Sequence, residues 1–492
     1  MKKILSVFLS LLLTVSFFSF PVKAIGSIKN FKIDGNGEVT WDPYPGAVYY
    51  TVSFSDYAGG NQTTIGYNFR DVLIGVQAPS GAYKTWVEAL DENMEVIASS
   101  NDIIYQHTAT ANKARDLSWN RYTASWSNNI IYDKYRFILY RDGVEILNTE
   151  AAGHSFDTYP YAVGQDHHYT FAVQAMKLHF EDSDPVYSEP VTGRMIERIK
   201  GSDRYETSWA AADELRQNYN PSAPFGTLVL ASGENFPDAL SGAYLANTWY
   251  APLLLINQKS ADKLCSRILE TTEEGRTIYV LGGEGALPSS WIKALEGKYK
   301  IKRLSGKDRY QTNMEILKEA GFDSGELLVC TGKDFADSLS ASATGRPIFL
   351  VGKALTAEQK TFLEGMGDLH FTIIGGSNAV SQDVISELAS YGKIERTFSG
   401  KTRYETSRLI AGAYFKDPDT AVIATGKDFP DGLSGGPLAY SVQAPLLLVK
   451  PDDGQVAYEY VQFKRIPNGY VLGGSMAVGD EVMKHVFRYL EG

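Results

Sequence analysis

Cysteine is nearly absent: two residues among 492 are too few for a disulfide scaffold. Cys265 lies in a helical pattern from Ala261 to Leu269, and Cys330 ends the strand-like run Leu327-Leu328-Val329-Cys330. Both have apolar neighbours, so two separate buried thiols are expected rather than a bridge. Histidine is also scarce, at seven. The adjacent pair His167-His168 would point to opposite faces of a strand, which argues against a shared metal. No zinc-ligand motif stands out, so neither a metal nor a cofactor is expected. An excess of positive charge is missing as well. Lys and Arg number 47 against 58 Asp and Glu, a net charge of −11, which argues against nucleic acid as a partner. Overall acidity leaves an anionic ligand open, because binding depends on local charge.

Apolar runs long enough to concern a membrane are confined to one place. Met1-Lys2-Lys3 is a positive head, Ile4 to Phe20 an uncharged apolar core, and Val22 and Ala24 are the small residues before a cut after Ala24. That is the pattern of a secretory signal peptide over residues 1–24. An uncleaved membrane anchor is the alternative. No cysteine adjoins the cut to carry a lipid, and Phe487 to Gly492 forms no hydrophobic tail. The expectation is a secreted protein with no membrane contact after cleavage, held at the cell by non-covalent means if at all.

What the chain does have is repetition. Gly201-Ser202-Asp203-Arg204-Tyr205-Glu206-Thr207 returns as Gly306-Lys307-Asp308-Arg309-Tyr310-Gln311-Thr312 and as Gly400-Lys401-Thr402-Arg403-Tyr404-Glu405-Thr406. A second signature follows each copy: Gly233 to Ser241, Gly332 to Ser340 and Gly426 to Ser434, each with Phe and Asp at fixed positions. A third is Val280-Leu281-Gly282-Gly283, echoed by Ile373-Ile374-Gly375-Gly376 and Val471-Leu472-Gly473-Gly474. A period of roughly 100 residues is too long for a solenoid unit and matches a small domain. Within a copy, continuous apolar strands such as Leu228-Val229-Leu230 and Pro252-Leu253-Leu254-Leu255-Ile256 alternate with helical patterns. That reads as a parallel sheet covered on both faces. Asp203 or Thr207 is available to cap the first helix.

Residues 25 to about 193 read differently. Tyr49 to Phe54, Tyr83 to Leu90, Thr123 to Ser127, Tyr135 to Tyr140 and Tyr169 to Ala175 are short alternating strands separated by turns such as Arg141-Asp142-Gly143. Two all-β sandwiches are expected, over 25–107 and 108–193. A Trp early in each unit and a Tyr-x-Phe-x-Val-type strand late in it resemble fibronectin type III domains. Tyr44, Tyr57 and Tyr161 could form a sugar-stacking platform or serve as core and turn residues. Spacer or protein-contact roles suit such domains.

The triplicated signatures, with Pro-Leu-Leu-Leu between them, resemble the type 2 cell-wall-binding repeats of Gram-positive bacteria. The resemblance covers 194–300, 301–393 and 394–492. It implies Rossmann- or Toprim-like α/β modules packed with pseudo-threefold symmetry. It also implies non-covalent attachment to an anionic wall polysaccharide or teichoic-acid-like polymer, in a surface or S-layer protein. Repeat two departs from the pattern with Arg346-Pro347-Ile348-Phe349, and repeat three has Thr402 in place of Asp.

In an open parallel sheet, ligands sit beyond the carboxyl ends of the strands. Asp238, Asp337 and Asp431, with Ser241, Ser340 and Ser434 just after them, fall there, and so do Gly283, Gly376 and Gly474. Arg204, Arg309 and Arg403 could supply bidentate donors to phosphate or carboxylate. A structural role stands beside each of these: the Gly-Gly pairs as packing, the Asp as helix caps, the Arg as bridges between modules. Gly432-Leu433-Ser434-Gly435-Gly436 fits Gly-x-Ser-x-Gly. Its flanking glycines do not recur, and His370 and His485, the only histidines past residue 193, sit at unrelated positions. A serine triad lacks its base, and no catalytic residue is assigned. The expected function is wall attachment displaying two sandwiches for adhesion or protein contact. A wall hydrolase using the loop Asp residues is the alternative, and capture of soluble anionic sugars a third reading.

Overall fold

The computed structural model describes residues 25–55, 61–64, 78–129, 132, 134–219, 221 and 223–488. The expected signal peptide, Tyr57 and the chain after residue 488 lie outside them. Among the described residues no helix is long and apolar enough to cross a membrane.

The second β domain is a sandwich of two sheets. One has the order Ser155–Asp157, Thr123–Ser127, Arg115–Asn120; the other runs Val144–Ala151, Lys134–Arg141, His168–Met176, with two short strands on its far edge. Alternation along Lys134–Arg141 turns Tyr135, Phe137 and Leu139 fully inward, where Trp126 stacks on Phe137 at 6.0 Å. In the first domain, Tyr49–Ser55 and Gly81–Leu90 are central strands of a six-stranded sheet, with a ribbon of Lys32–Ile33 and Val39–Thr40 beside it. This is the fibronectin type III-like plan. Tyr44 and Tyr161 are half-buried against the two cores, so the core role is the one they fill. His167 lies before the strand that His168 begins, and its Nδ1 meets Asp142 at 2.6 Å.

The repeat region forms three four-stranded parallel sheets. The first has the order Leu253–Ile256, Phe225–Ser232, Thr272–Leu281, Lys300–Leu304; the second Ile348–Val351, Gly325–Thr331, Leu369–Ile374, Lys393–Phe398. The third takes Leu446–Val449, Thr420–Thr425 and Asn468–Leu472, then Ile196–Ile199 from the start of the region. The strand that opens each repeat in sequence is therefore the fourth strand of the preceding module's sheet, and the cycle closes on itself. The expected boundaries at 301 and 394 each separate a module from the strand that completes it.

Each opening signature now has a physical reading. Asp203 caps helix Arg204–Tyr219 by accepting from the Tyr205 and Glu206 amides, both at 2.9 Å. Asp308 caps Arg309–Glu319 in the same way. Thr402 replaces it at Arg403–Tyr414 by accepting from the Glu405 amide. The Thr207, Thr312 and Thr406 hydroxyls accept from the Gly201, Gly306 and Gly400 amides at 3.1 Å. A Cβ on any of those glycines would collide with the helix it faces. Thus Asp or Thr is the cap, and Thr207 instead anchors the turn. Ser260 stands at the N-cap position of helix Ala261–Thr271, where its hydroxyl accepts from the Asn257 amide rather than from that helix, and Ser289–Leu295 is a 3-10 helix.

The second signatures meet at the centre. Helices Pro237–Leu240 with Gly242–Thr248, Ala336–Ser342, and Pro430–Ser441 pack side by side, and one apolar core runs through all three modules. Small residues permit the approach: a Cβ on Gly436 would overlap Ser342 and crowd Ala243. At the amino-terminal end of these helices, Phe236, Phe335 and Phe429 form a triangle with centroids 5.5–5.9 Å apart, which marks the pseudo-threefold axis. Cys265 and Cys330 are free and buried in separate modules.

The second sandwich is fixed to module three. Arg194, fully buried, donates to the Phe487 carbonyl at 3.0 Å and lies 3.7 Å over the Tyr159 ring. The Tyr159 hydroxyl donates to the Ile466 carbonyl, and Asp157 pairs with Arg465 at 2.9 Å.

Candidate functional site

The arginines reach across module borders. Arg403 of module three donates to its own Gly426 carbonyl at 2.8 Å, pairs with Asp334 of module two at 3.1 Å and stands 5.3 Å over Phe335. Arg204 repeats this against module three, with Gly233 at 2.9 Å, Asp428 at 3.4 Å and Phe429 at 5.5 Å. Arg309 donates to Gly332 and lies 5.8 Å over Phe236. The matching position in module one is Asn235, and among the described residues Arg309 forms no ion pair. The bridging role is therefore real at two of three junctions, and three cationic planes ring the phenylalanine triangle.

Each loop aspartate is likewise shared. Asp431 sits beside Arg204, Asp238 beside Arg309 and Asp337 beside Arg403. Their carboxylates press on Gly473, Gly282 and Gly375, which have positive φ (86°, 94° and 104°) and where any Cβ would overlap the Asp oxygen. The first glycine of each pair is thus required by packing and backbone together. The second is less constrained: Gly283 and Gly474 face open space, and a Cβ on Gly376 would come within 3.1 Å of Ser399. Burial pushes all three carboxyls up. Asp238 and Asp431 are partly compensated by the hydroxyls of Thr312 and Thr207 across the junction. Asp337 is raised to about 6 by burial and by nearby Asp334, against the pull of Arg403. The corresponding Thr406 hydroxyl bonds back to the Thr402 carbonyl.

The serines do not join this constellation. Ser241, Ser340 and Ser434 are buried. Ser340 and Ser434 donate weakly to the carbonyls of Ala336 and Asp431 in their own helices, and Ser241 has no partner among the described residues. Ser434 lies inside helix Pro430–Ser441 rather than on the strand-to-helix turn of a nucleophile elbow.

Arg204, Asp431 and Gly474 line a hollow of about 570 Å³ where modules one and three meet. A second hollow of about 740 Å³ carries Arg403, Tyr404 and Lys450. The two share Lys427, Pro451 and Met476, and along their joint walls four cations, Arg204, Lys427, Arg403 and Lys450, alternate with the carboxylates of Asp203, Asp428, Asp431 and Asp452. Met476 is 94% exposed. Lys427 is exposed and forms no ion pair among the described residues. Lys427, Lys450 and Met476 were not singled out from the sequence. The signal for the first was present in Gly-Lys-Asp-Phe of repeats two and three, with Lys333 and Lys427 at one position.

Three stretches, 198–292, 303–385 and 397–483, match the family model described as Cell wall binding domain 2 (CWB2), together more than half of the chain. Among curated proteins, the N-acetylmuramoyl-L-alanine amidase LytC of Bacillus subtilis is 27% identical over 296 residues, 58% of this chain and 57% of that one. The amidase enhancer of the same organism is 28% identical over 303 residues, 59% of this chain and 40% of that one. This chain thus spans about half the length of these relatives. The solved structure of Cwp8 from Clostridium difficile covers 90% of this chain and 93% of its own, with a TM-score of 0.53 and 15% identity, a likeness of fold.

Proposed function

The chain belongs to the Cell wall binding domain 2 family, and from that premise we propose that it is a secreted, non-enzymatic surface protein whose three modules grip an anionic wall polymer, leaving the two sandwiches free for adhesion or protein contact. The observation that carries this reading is the track past Arg204, Lys427, Arg403 and Lys450. Guanidinium and ammonium groups at successive stages suit a chain of phosphates or carboxylates, and several weak contacts along one polymer add up by effective concentration. The paired arginines are half-exposed, so an incoming anion can share them with Asp428 and Asp334. Arg309, Gly283 and Gly376 are the equivalent ligand-facing positions at the other junctions. The aspartates position the glycine loops.

A hydrolase reading has the amidase name of one relative in its favour. Against it, Asp238, Asp337 and Asp431 are packed on glycine backbone. Zymography on purified walls separates the two: a clearing band that vanishes in the triple Asp→Asn variant overturns the binding-only reading. For binding itself, walls are offered to the protein before and after acid extraction of their anionic polymers. Retention falls after extraction if the proposal is right; undiminished retention transfers the target to peptidoglycan or protein.

A further inference from the structure

The far end of the central helices differs from the phenylalanine end. Helices Arg204–Tyr219 and Pro430–Ser441 start beside the triangle and finish here. In repeat two the stretch from Asp337 to Pro347 is about four residues, one helical turn, shorter than Asp238 to Pro252 or Asp431 to Pro445. Where that turn is missing, a hollow of about 630 Å³ opens between modules two and three, within the size range of small-molecule sites. Its walls include Tyr414, Phe415 and Tyr440, with Thr344, Ser441 and Gln443 among them. Lys416, Asp417 and Asp419 line one side, where both aspartates are already paired with Arg121 of the second sandwich at 2.7 and 3.4 Å. On module one Tyr219, within electrostatic reach of Tyr440, begins an aromatic shelf. Tyr219 meets Tyr250 edge-on at 5.0 Å, and Trp249 and Tyr250 are 49% and 61% exposed. Tyr250 is held at φ 50°, an uncommon conformation for an aromatic residue; Gln443 holds the same place in repeat three at φ 52°.

We propose that this hollow and shelf form a second binding site, for an uncharged pyranose glycan. A pyranose ring presents C–H bonds on a face and hydroxyls around its edge. Aromatic faces attract the former through their negative quadrupole, and the Thr, Ser and Gln side chains among the rings meet the latter. The exposed apolar atoms of the shelf belong to aromatic rings carrying a polar group at the edge, which suits a sugar better than the aliphatic face of a protein partner. The site stands apart from the cationic track, and it would hold even if that track bound nothing.

The test uses the full chain and three uncharged hexasaccharides: β-1,4-linked N-acetylglucosamine, α-1,4-linked glucose and β-1,4-linked mannose. Titration calorimetry should detect at least one, with an affinity that salt leaves unchanged. Trp249→Ala and Tyr440→Ala should each weaken it tenfold or more, and Tyr440→Phe should restore most of it. Thermal unfolding checks that the variants fold. Binding of none of the three sugars, binding indifferent to Trp249 and Tyr440, or binding abolished by salt overturns the proposal. So does sedimentation showing a dimer that Trp249→Ala dissociates, since a second copy would then be the occupant.

Discussion

The two ends of the pseudo-threefold axis are built on different principles. At one end every repeat contributes the same parts: a phenylalanine, an arginine over a neighbour's ring, and an aspartate against a glycine loop. At the other end repeat one supplies Tyr219, Trp249 and Tyr250, repeat three supplies Tyr440, and repeat two is a turn short. What is triplicated is what the packing of three modules needs. What appears once is free to be specific. The track past Arg204, Lys427, Arg403 and Lys450 lies between these cases, since it uses triplicated arginines together with lysines and hollows of module three.

The largest difference between the ends should be in stability. Phe335→Ala removes two ring contacts and part of the common core, and should lower the repeat region's unfolding free energy by about 2–4 kcal/mol in urea titration. Tyr250→Ala, at the other end, should change it by less than about 0.5 kcal/mol. Equal losses would erase the contrast.

Next in size is a pH effect confined to the triplicated end. The folded state holds the Asp337 carboxyl near 6, whereas an unfolded Asp titrates near about 3.9. Its contribution is therefore fully present below about pH 4 and is lost as the pH rises through about 6. Asp337→Asn should stabilise the protein at pH 7 by on the order of 1–3 kcal/mol and flatten the slope between those values, read from denaturation midpoints across that range.

Two smaller effects sharpen the comparison. Tyr250→Gly should relieve the positive φ and raise the melting temperature, by roughly 0.5–1 kcal/mol of stability at most, while removing a ring from the shelf. Asn235→Asp should give Arg309 the cross-module carboxylate that Arg204 and Arg403 already have. A half-exposed pair of that kind adds about 0.2–1 kcal/mol, which a double-mutant cycle with Arg309→Gln would resolve.

The triplicated end was largely legible in the sequence, because a residue needed at three junctions is written three times. The parallel sheets followed from apolar runs such as Leu253 to Ile256, and the first helix's cap was narrowed to Asp203 or Thr207, between which only the hydrogen bonds decide. Less legible was anything that depends on which module a strand joins. Ile196–Ile199 looks like the start of repeat one, yet it pairs with Asn468–Leu472, a contact between distant parts of the chain that local pattern does not carry. The serines recur because they are buried at a helix start, so recurrence alone did not separate packing from ligand contact. The aromatic end left only two traces: Trp249-Tyr250 where a polar helix end is usual, and the shortened stretch before Pro347. Neither repeats, and a reading led by repetition passes over them.

The central claim, that the cationic track holds an anionic polymer, is tested most directly by wall-binding isotherms of the full chain and of the Arg204→Gln/Arg403→Gln/Lys427→Gln variant at low and high salt. Screening should weaken the wild type at least tenfold between the two, and the variant should bind poorly at both with a much smaller salt response. A variant that matches the wild type in affinity and in salt dependence would contradict the account.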